Sequence, residues 1–443
     1  MSQDTPSHDS GVMAKGLRRL GIGRQALGDG MSGLAIEGAQ LVGTFVFFAM
    51  LSRRIGPADY GSFAAMYSLI GISIALAHIG PGLAMLQHAI GNDVKTVGTQ
   101  FFTIYVCCIA LAVGIVMALS PFLLPRVSTL TIVLFMAAEL FGAALVQVSS
   151  TLRLIVVGFR STVPLQLIPV VIKVVAVVAL FVTDQLTLRT YGLVYAIACI
   201  VVGVVVFLKV TSTLGVPRRL RRVRRDHLGT TVTVSSTIWV FNLHNDGDKL
   251  TMSANDLGAD VGLYSAAYRL VMLAVIPINA LVTSSYRTFV DPGVGHHFRR
   301  AAKYTLATTV YCTVAAAVLI IAAPFALPLV VGDGFGGAVS ITRWLAPLMI
   351  VRGFTHFPLN AIMGLGHPRV RLVCIALSAT VAMGVYVALI PSMSWKGAVI
   401  GSYVSDTVLA IAAWVMLWRV RNDWRQVGEA QPVGIEPEVS SAG

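Results

Sequence analysis

The sequence predicts an all-α integral membrane protein with about 12 transmembrane helices in two parallel six-helix lobes around a central cavity. Hydrophobic residues make up 56% of the 443 residues, and the mean hydropathy is +0.79, which lies outside the range of soluble domains. Apolar runs long enough to cross a bilayer follow one another with short gaps. Two stretches, one in each half of the chain, also resemble each other.

The apolar runs define the predicted spans in chain order, because a spanning helix needs about 20 mostly apolar residues. The spans of the first half are 31–52, 61–89, 98–120, 128–157, 162–183 and 190–211. Those of the second half are 228–254, 260–290, 300–323, 336–363, 369–390 and 395–419. The chain is therefore expected to have almost no domain outside the membrane.

The predicted orientation rests on an arginine-rich linker at 213–228, between the lobes at 31–212 and 229–420. Its six clustered arginines are Arg218, Arg219, Arg221, Arg222, Arg224 and Arg225. Clustered positive charge marks a cytoplasmic loop, so both termini are predicted to be cytoplasmic. Orientation alone explains this cluster, although it could also bind anionic lipid or an acidic partner. A basic segment at 1–30 and a disordered tail at 421–443 complete the predicted organisation.

Several classes of function are disfavoured by the sequence. The net charge of +13 would suggest nucleic-acid binding in a soluble protein, but here most Lys and Arg lie in the gaps between spans. The five cysteines lie inside apolar runs without a CxxC pair, which predicts neither a metal site nor disulfides. No Walker A, HExxH or GxSxG pattern occurs, and the short exterior loops leave no room for a catalytic region. We expect a transporter without a cofactor rather than an enzyme.

The two similar stretches are Ile55–Tyr67 and Leu257–Tyr268, which share Gly, Ala, Asp, Gly, Ala and Tyr in the same order when one gap is allowed. They are separated by six predicted spans. Because six is even, the two halves enter the membrane in the same direction, as in transporters built from parallel repeats. Each stretch could instead be simply a favourable exterior turn, with Gly for backbone freedom and Asp as a helix cap.

Three segments carry a resemblance to a known family. Leu51–Gly61 resembles the end of the first helix in polysaccharide-exporting flippases, and Asp248–Leu250 with Leu257–Arg269 resembles their seventh-to-eighth helix region. Gly364–Arg369 resembles their connection between spans ten and eleven. The chain thus looks like a Wzx-type polysaccharide or O-antigen flippase of the multidrug/oligosaccharidyl-lipid/polysaccharide (MOP) exporter superfamily.

This resemblance implies a multi-pass protein of the bacterial inner membrane. Such proteins move an undecaprenyl-pyrophosphate-linked oligosaccharide from the cytoplasmic to the periplasmic leaflet by alternating access, for assembly of cell-surface polysaccharide. The expected partners are that glycan, membrane lipids, and a glycan polymerase or glycosyltransferase, with no nucleic acid. A proton- or sodium-coupled multidrug antiporter of the same superfamily is the alternative. A mixture of Arg and Lys with acids inside the spans favours an anionic substrate.

Ionisable residues inside predicted spans are the candidate site residues, because a charge at the bilayer centre is costly. The cationic candidates for substrate binding are Arg269, Arg352, Lys173, Lys249 and His356. Arg352 and His356 are four residues apart, on one helix face. Arginine donors match phosphate oxygens, so a pyrophosphate is a fitting ligand. Structural ion pairing is the alternative for these residues.

The acidic candidates, for ion coupling or charge pairing, are Asp248, Glu139, Glu37 and Asp406, and Asp246 belongs to the same set of acids inside the spans. A carboxyl that is protonated on one side and released on the other could couple transport to a proton or sodium gradient. Aromatic residues near the exterior ends of spans are predicted to form an interfacial belt, Tyr60, Tyr264 and Tyr268 among them.

Overall fold

The computed structural model describes residues 24–89, 92–290 and 297–421, and at 24–37, 41 and part of 276–290 it describes only the backbone. Throughout these residues the secondary structure is helical and contains no strand. The predicted segment 1–30 is therefore described only from Arg24 onward. The predicted tail 421–443 lies outside the described residues after Arg421.

The helices are numbered in chain order. The first seven are α1 (Arg24–Ile74), α2 (Gly80–Ala89), α3 (Val94–Leu123), α4 (Thr129–Met136), α5 (Ala143–Val156), α6 (Val163–Val182) and α7 (Leu188–Leu214). The next seven are α8 (Arg225–Ala254), α9 (Gly258–Val290), α10 (His297–Val331), α11 (Ala338–Leu345), α12 (Leu348–Gly364), α13 (Pro368–Met393) and α14 (Trp395–Val420). Short 3₁₀ turns occur at Phe159–Thr162 and Asp333–Phe335.

The predicted spans agree with this helical order, since all twelve fall on helices. Eight helical stretches of the described residues are long and apolar enough to cross a membrane. Predicted span 228–254, which corresponds to α8, is not among them; that helix carries many polar and charged residues. Predicted span 336–363 is divided into α11 and α12 at Pro347, whose ring nitrogen cannot donate a helical hydrogen bond. The chain is an all-α, multi-pass membrane protein.

The first two predicted spans are joined by a kink in α1 rather than by a loop. Gly56 is the residue with non-helical backbone angles inside α1, at φ 72° and ψ 174°, and Pro57 follows it. A residue before proline is disfavoured in the helical region, and a positive φ suits glycine. The Gly-Pro pair therefore redirects the helix where the sequence predicted an exterior turn.

Two π-helical turns interrupt the helices within the described residues. Ala75–Ile79 joins α1 to α2 and contains His78, and Ala137–Gly142 joins α4 to α5 and contains Glu139. A π turn adds one residue to a helical turn and often occurs at functional sites, because it rotates the following side chains relative to the preceding ones. Both turns thus present an ionisable side chain at a break in regular hydrogen bonding.

By internal contacts the chain forms two compact units. Among the described residues, the first contains those at 24–55, 73–118 and 128–236, and the second contains those at 56–72, 119–127 and 237–421. The second unit therefore includes two segments from the first half of the chain. The lobe boundaries given by the sequence stay predictions.

Within the second unit, the two similar stretches of sequence pack against each other. A Cβ atom added to Gly61 would overlap the carbonyl oxygen of Gly258, and one added to Gly262 would overlap the carbonyl oxygen of Pro57. Glycine at these positions allows the kinked part of α1 and the start of α9 to approach at backbone distance, as small residues do between membrane helices. The repeated glycines therefore have a packing role in addition to any turn role.

We predict that Gly61→Ala destabilises the protein. Alanine is about 1 kcal/mol more favourable than glycine inside a helix, but overlap of its Cβ with a rigid backbone atom costs about 1–3 kcal/mol. The overlap is the larger effect, so the net change in stability is a loss. The measurement is the midpoint temperature for loss of the monodisperse peak when detergent-purified protein is heated before gel filtration. We expect a decrease of several degrees.

Gly71→Ala is the matched control, since Gly71 lies on the same helix and a Cβ there meets nothing within 4 Å. This variant should be unchanged or slightly more stable. Equal stability of Gly61→Ala and Gly71→Ala would contradict the close packing of the repeated stretches.

Candidate functional site

The second unit contains a cluster of buried charged residues contributed by α8, α9, α12 and α14. Four of its side chains are at most 6% exposed: those of His244, Asp248, Lys249 and Asp406. Moving a charged group out of water costs several kcal/mol even after relaxation, so such groups need close partners. The hydrogen bonds of the cluster provide those partners.

Asp406 on α14 connects two basic side chains. Its Oδ2 accepts a hydrogen bond from Arg352 Nε at 2.8 Å, and its Oδ1 lies 3.1 Å from His244 Nε2. The other nitrogen of His244 lies 3.3 Å from Ser378 Oγ, whose proton is donated to the Ser405 carbonyl oxygen at 2.7 Å. Both ring nitrogens of His244 therefore have an oxygen within hydrogen-bond distance. Arg352 is thus ion-paired in this structure.

Lys249 on α8 is held by carboxylates of its own helix. Its Nζ lies 2.8 Å from Asp246 Oδ1 and 3.4 Å from Asp248 Oδ1, and it donates to the carbonyl oxygen of Asn245 at 3.2 Å. The second oxygen of Asp248 accepts the hydroxyl of Tyr264 at 2.6 Å. Lys249 and Asp248 therefore form an ion pair. Lys249 also donates a hydrogen bond to the backbone, and Asp248 also accepts one from Tyr264.

Tyr268 on α9 joins the two ion-pair systems. The Lys249 Nζ lies 4.1 Å from the centroid of its ring, and the Arg352 Cζ lies 5.3 Å from it. Arg352 Nη1 also donates to the Tyr268 hydroxyl at 2.8 Å. Both cations thus interact with one aromatic ring, whose negative face attracts them.

The prediction of an interfacial belt was wrong for three tyrosines of the second unit. Tyr60, Tyr264 and Tyr268 are buried inside it rather than exposed at a membrane surface. Their hydroxyl-bearing rings are large enough to fill space between helices, and those of Tyr264 and Tyr268 hydrogen-bond the charged cluster. Tyrosine spacing alone did not distinguish the two arrangements.

The cluster combines three basic side chains, His244, Lys249 and Arg352, with three carboxylates, Asp246, Asp248 and Asp406. Asp246 is the most accessible carboxylate, with a side chain 34% exposed and a further hydrogen bond from Ser68 Oγ at 3.3 Å. Asp246 is therefore the carboxylate of the cluster that lies nearest to its surface.

Two further cationic candidates of the second unit are Arg269 on α9 and His356 on α12. The Nε2 atom of His356 is buried and makes no hydrogen bond with the described residues, although His356 is one turn from Arg352 on α12. The guanidinium carbon of Arg269 lies 5.9 Å from the ring centroid of Tyr60. The structure therefore brings Arg352, Lys249, Asp248 and Asp406 together, with His356 one helical turn from Arg352 and Arg269 beside Tyr60.

The first unit contains a second charged pair. Lys173 on α6 lies 3.1 Å from Glu139 Oε1, and the Tyr195 hydroxyl donates to the same oxygen at 2.9 Å. The Lys173 Nζ also lies 5.6 Å from the Tyr195 ring centroid. Both charged side chains are largely buried. Two of the sequence candidates are thus direct partners.

A cavity of about 260 Å³ lies beside this pair. Its polar lining residues are Gln40, His78, Glu139, Gln147 and Gln166. Three amides and a carboxylate offer both donors and acceptors, a combination that suits a ligand with many hydroxyl groups. The backbone of Glu37 lies in α1, but its side chain is outside the described residues, so its role stays a prediction.

His244 and Tyr268 are the contributors that the sequence analysis missed as site residues. A usable signal exists for His244, since it lies four residues before Asp248 and therefore on the same face of α8. No local pattern pairs it with Asp406, which is 162 positions away in the sequence. Among the described residues, no group of His, Cys, Asp and Glu could hold a metal ion.

Comparisons with known proteins agree with this architecture. The pattern of a family described as polysaccharide biosynthesis protein matches residues 50–340. No curated protein matches the sequence.

Three solved structures share the fold at low sequence identity. An inward-facing multidrug resistance MATE family transporter of the MOP superfamily is 14% identical with a TM-score of 0.65, and the match covers 87% of this chain and 96% of that one. An outward-facing MATE transporter is 14% identical with a TM-score of 0.57, covering 90% and 95%. A MOP superfamily transporter from Pyrococcus furiosus, described as having a binding pocket of reversed polarity that suggests a different function, is 15% identical with a TM-score of 0.55, covering 90% and 94%.

The resemblance to MOP-superfamily exporters that was drawn from short motifs is confirmed. Both findings extend over most of the chain, because the structural matches cover at least 87% of it and the family pattern covers well over half. The chain has the fold of MOP-superfamily transporters and belongs to the polysaccharide biosynthesis protein family.

Proposed function

We propose that this protein is a flippase for an undecaprenyl-pyrophosphate-linked oligosaccharide, which it moves from the cytoplasmic to the periplasmic leaflet by alternating access. Transport, not catalysis, is its contribution to cell-surface polysaccharide assembly. The observation that carries the proposal is the pair of buried cations, Arg352 and Lys249, that contact one tyrosine ring in a member of a polysaccharide biosynthesis family.

The chemistry of a pyrophosphate fits these cations. Arg352 presents a planar set of donors that matches phosphate oxygens, and Lys249 adds a mobile point charge close by. Asp406 contacts Arg352 and Asp246 contacts Lys249 through carboxylate oxygens, which phosphate oxygens could replace. We infer an exchange of partners, in which the pyrophosphate displaces carboxylates that otherwise keep the buried cations neutralised.

Such an exchange can couple transport to an ion gradient. Protonation of Asp246, or binding of sodium to it, weakens its hold on Lys249 and makes that lysine available to the substrate. Release of the ion on the other side restores the pair and expels the anion. Ion binding to Asp246 shifts the equilibrium between the inward and outward states only if the carboxyl has a different affinity for the ion in each state. Any ligand that shifts a conformational equilibrium must meet this requirement.

The first unit offers a complementary contact for the glycan. The cavity beside Lys173 and Glu139 is lined by Gln40, Gln147 and Gln166, whose amides can both donate to and accept from sugar hydroxyls. Recognition of glycan hydroxyl groups is the role that we propose for this cavity. The proposal includes the bacterial inner membrane as its location, cytoplasmic termini, and a glycan polymerase or glycosyltransferase as partner.

Export of cationic drugs is the competing function. Three carboxylates in the charged cluster, Asp246, Asp248 and Asp406, favour it, because cation exporters use acidic binding sites. Two of the similar structures are multidrug resistance transporters. Each of these carboxylates nevertheless contacts a basic side chain, so a cation entering the cluster would have to compete with Lys249, Arg352 and His244.

We predict that Arg352→Gln and Lys249→Gln each lower translocation of a fluorescent undecaprenyl-pyrophosphate oligosaccharide in proteoliposomes by at least tenfold. A lost charged hydrogen bond is worth about 1.5–3 kcal/mol, which corresponds to a factor of about 10 to 150 in rate or affinity. The readout is the fraction of fluorophore that external dithionite cannot reduce over time.

Arg343→Gln is the matched control, because Arg343 is an exposed arginine on α11 in the same unit, outside the charged cluster. It should translocate at the wild-type rate. Expulsion of cationic dyes by the wild type, without movement of lipid-linked sugar, would replace the flippase with the drug antiporter.

We also predict that Asp246→Asn removes the dependence of translocation on an imposed ion gradient. The variant keeps Lys249 beside Asp248, so the buried lysine retains a carboxylate while the most accessible site for an ion is lost. Initial rates would be measured with and without a proton or sodium gradient in wild type and variant. A gradient effect of equal size in both would assign coupling to another carboxyl.

A further inference from the structure

A second kind of ligand site lies on the first unit, away from its charged pair. Helices α5, α6 and α7 enclose a groove of about 430 Å³, a volume in the range of small-molecule and lipid pockets. Its apolar lining consists of Val157, Leu165, Val206, Val210 and Leu214. A hydrocarbon chain is the ligand that such a surface accommodates inside a membrane.

Two cations lie at the rim of this groove, Arg153 on α5 and Lys209 on α7. Arg153 is half-buried and Lys209 is exposed, and neither side chain has a carboxylate partner among the residues that the structure describes. The buried cations Lys249, Arg352 and Lys173, by contrast, each contact a carboxylate. Arg153 and Lys209 therefore differ from the ion-paired cations in two ways. They lie beside an apolar groove, and they have no acidic partner among the described residues.

The position of the cations indicates which leaflet the groove faces. Lys209 lies in the last turns of α7, whose end at Leu214 leads directly into the arginine-rich linker predicted to be cytoplasmic. Arg153 lies in the last turn of α5. With the linker on the cytoplasmic side, as the sequence predicts, both cations lie at the cytoplasmic ends of their helices.

We propose that this groove binds an anionic phospholipid of the inner leaflet. Its phosphodiester contacts Arg153 and Lys209, and one acyl chain lies along the valine and leucine lining. Basic pockets between transmembrane helices on the cytoplasmic side are suited to such headgroups. Both parts of the ligand are required, since the charge selects the headgroup and the apolar lining retains the chain.

The test is native mass spectrometry of the full-length protein in detergent, titrated with phosphatidylglycerol and separately with phosphatidylcholine. We expect one phosphatidylglycerol to bind more tightly than phosphatidylcholine. Neutralising each cation should weaken phosphatidylglycerol binding by about fivefold, and the Arg153→Gln/Lys209→Gln double variant by about 30-fold. Lys303→Gln, which removes an exposed lysine near the start of α10, should bind as the wild type does.

A second pair of variants separates the groove from nonspecific charge. Val206→Trp fills the groove and should abolish preferential binding, whereas Val205→Trp adds the same bulk to a neighbouring position of α7 that is 58% exposed and outside the groove lining, and should not. Equal binding of both phospholipids, or an unchanged double variant, would overturn the proposal. Displacement of phosphatidylglycerol by equimolar undecaprenyl phosphate would also overturn it, because the groove would then belong to the substrate tail.

Discussion

The desolvation of charge inside the second unit constrains the rest of that unit. Arg352, Lys249 and Asp406 are almost fully buried, and leaving one of them without its partner costs about 3–5 kcal/mol, a large fraction of the stability of a domain. Their helices must therefore keep the register that brings Asp406 to Arg352. A cluster held this tightly can still function in transport, provided that the substrate supplies an equivalent set of charges when it displaces the carboxylates.

The backbone packing around the repeated glycines places the helices that this cluster needs. Gly61 approaches the start of α9 at Gly258 and Gly262, and α9 then carries Tyr264 and Tyr268 toward Asp248 and Arg352. The kink at Gly56 turns α1 so that this approach is possible. A short sequence repeat thus leads through close helix packing to the position of an aromatic ring between two cations.

The sequence predicted the helical order and most of the charged residues, because apolar length and the cost of intramembrane charge are local properties. It could not predict their pairing. The contact of Asp406 with His244 joins residues 162 positions apart, and no periodicity encodes it. The interpretation of Tyr268 as interfacial failed for the same reason, since a tyrosine near a predicted helix end suits a membrane surface and a buried polar cluster equally well. Glu139 and Lys173 were both singled out, but their contact was not foreseen.

The exchange of carboxylate for pyrophosphate is tested most directly by equilibrium binding of the lipid-linked oligosaccharide to purified protein. If carboxylates compete with the substrate, Asp246→Asn should bind the lipid-linked oligosaccharide about fivefold to tenfold more tightly than the wild type does. This change corresponds to a binding free energy that is more favourable by about 1–1.4 kcal/mol, because the competing carboxylate is gone. Asp406→Asn, checked for a monodisperse gel-filtration peak, should shift affinity in the same direction. Weaker binding by a folded Asp246→Asn variant would contradict the account and make the carboxylates part of the substrate site rather than its competitors.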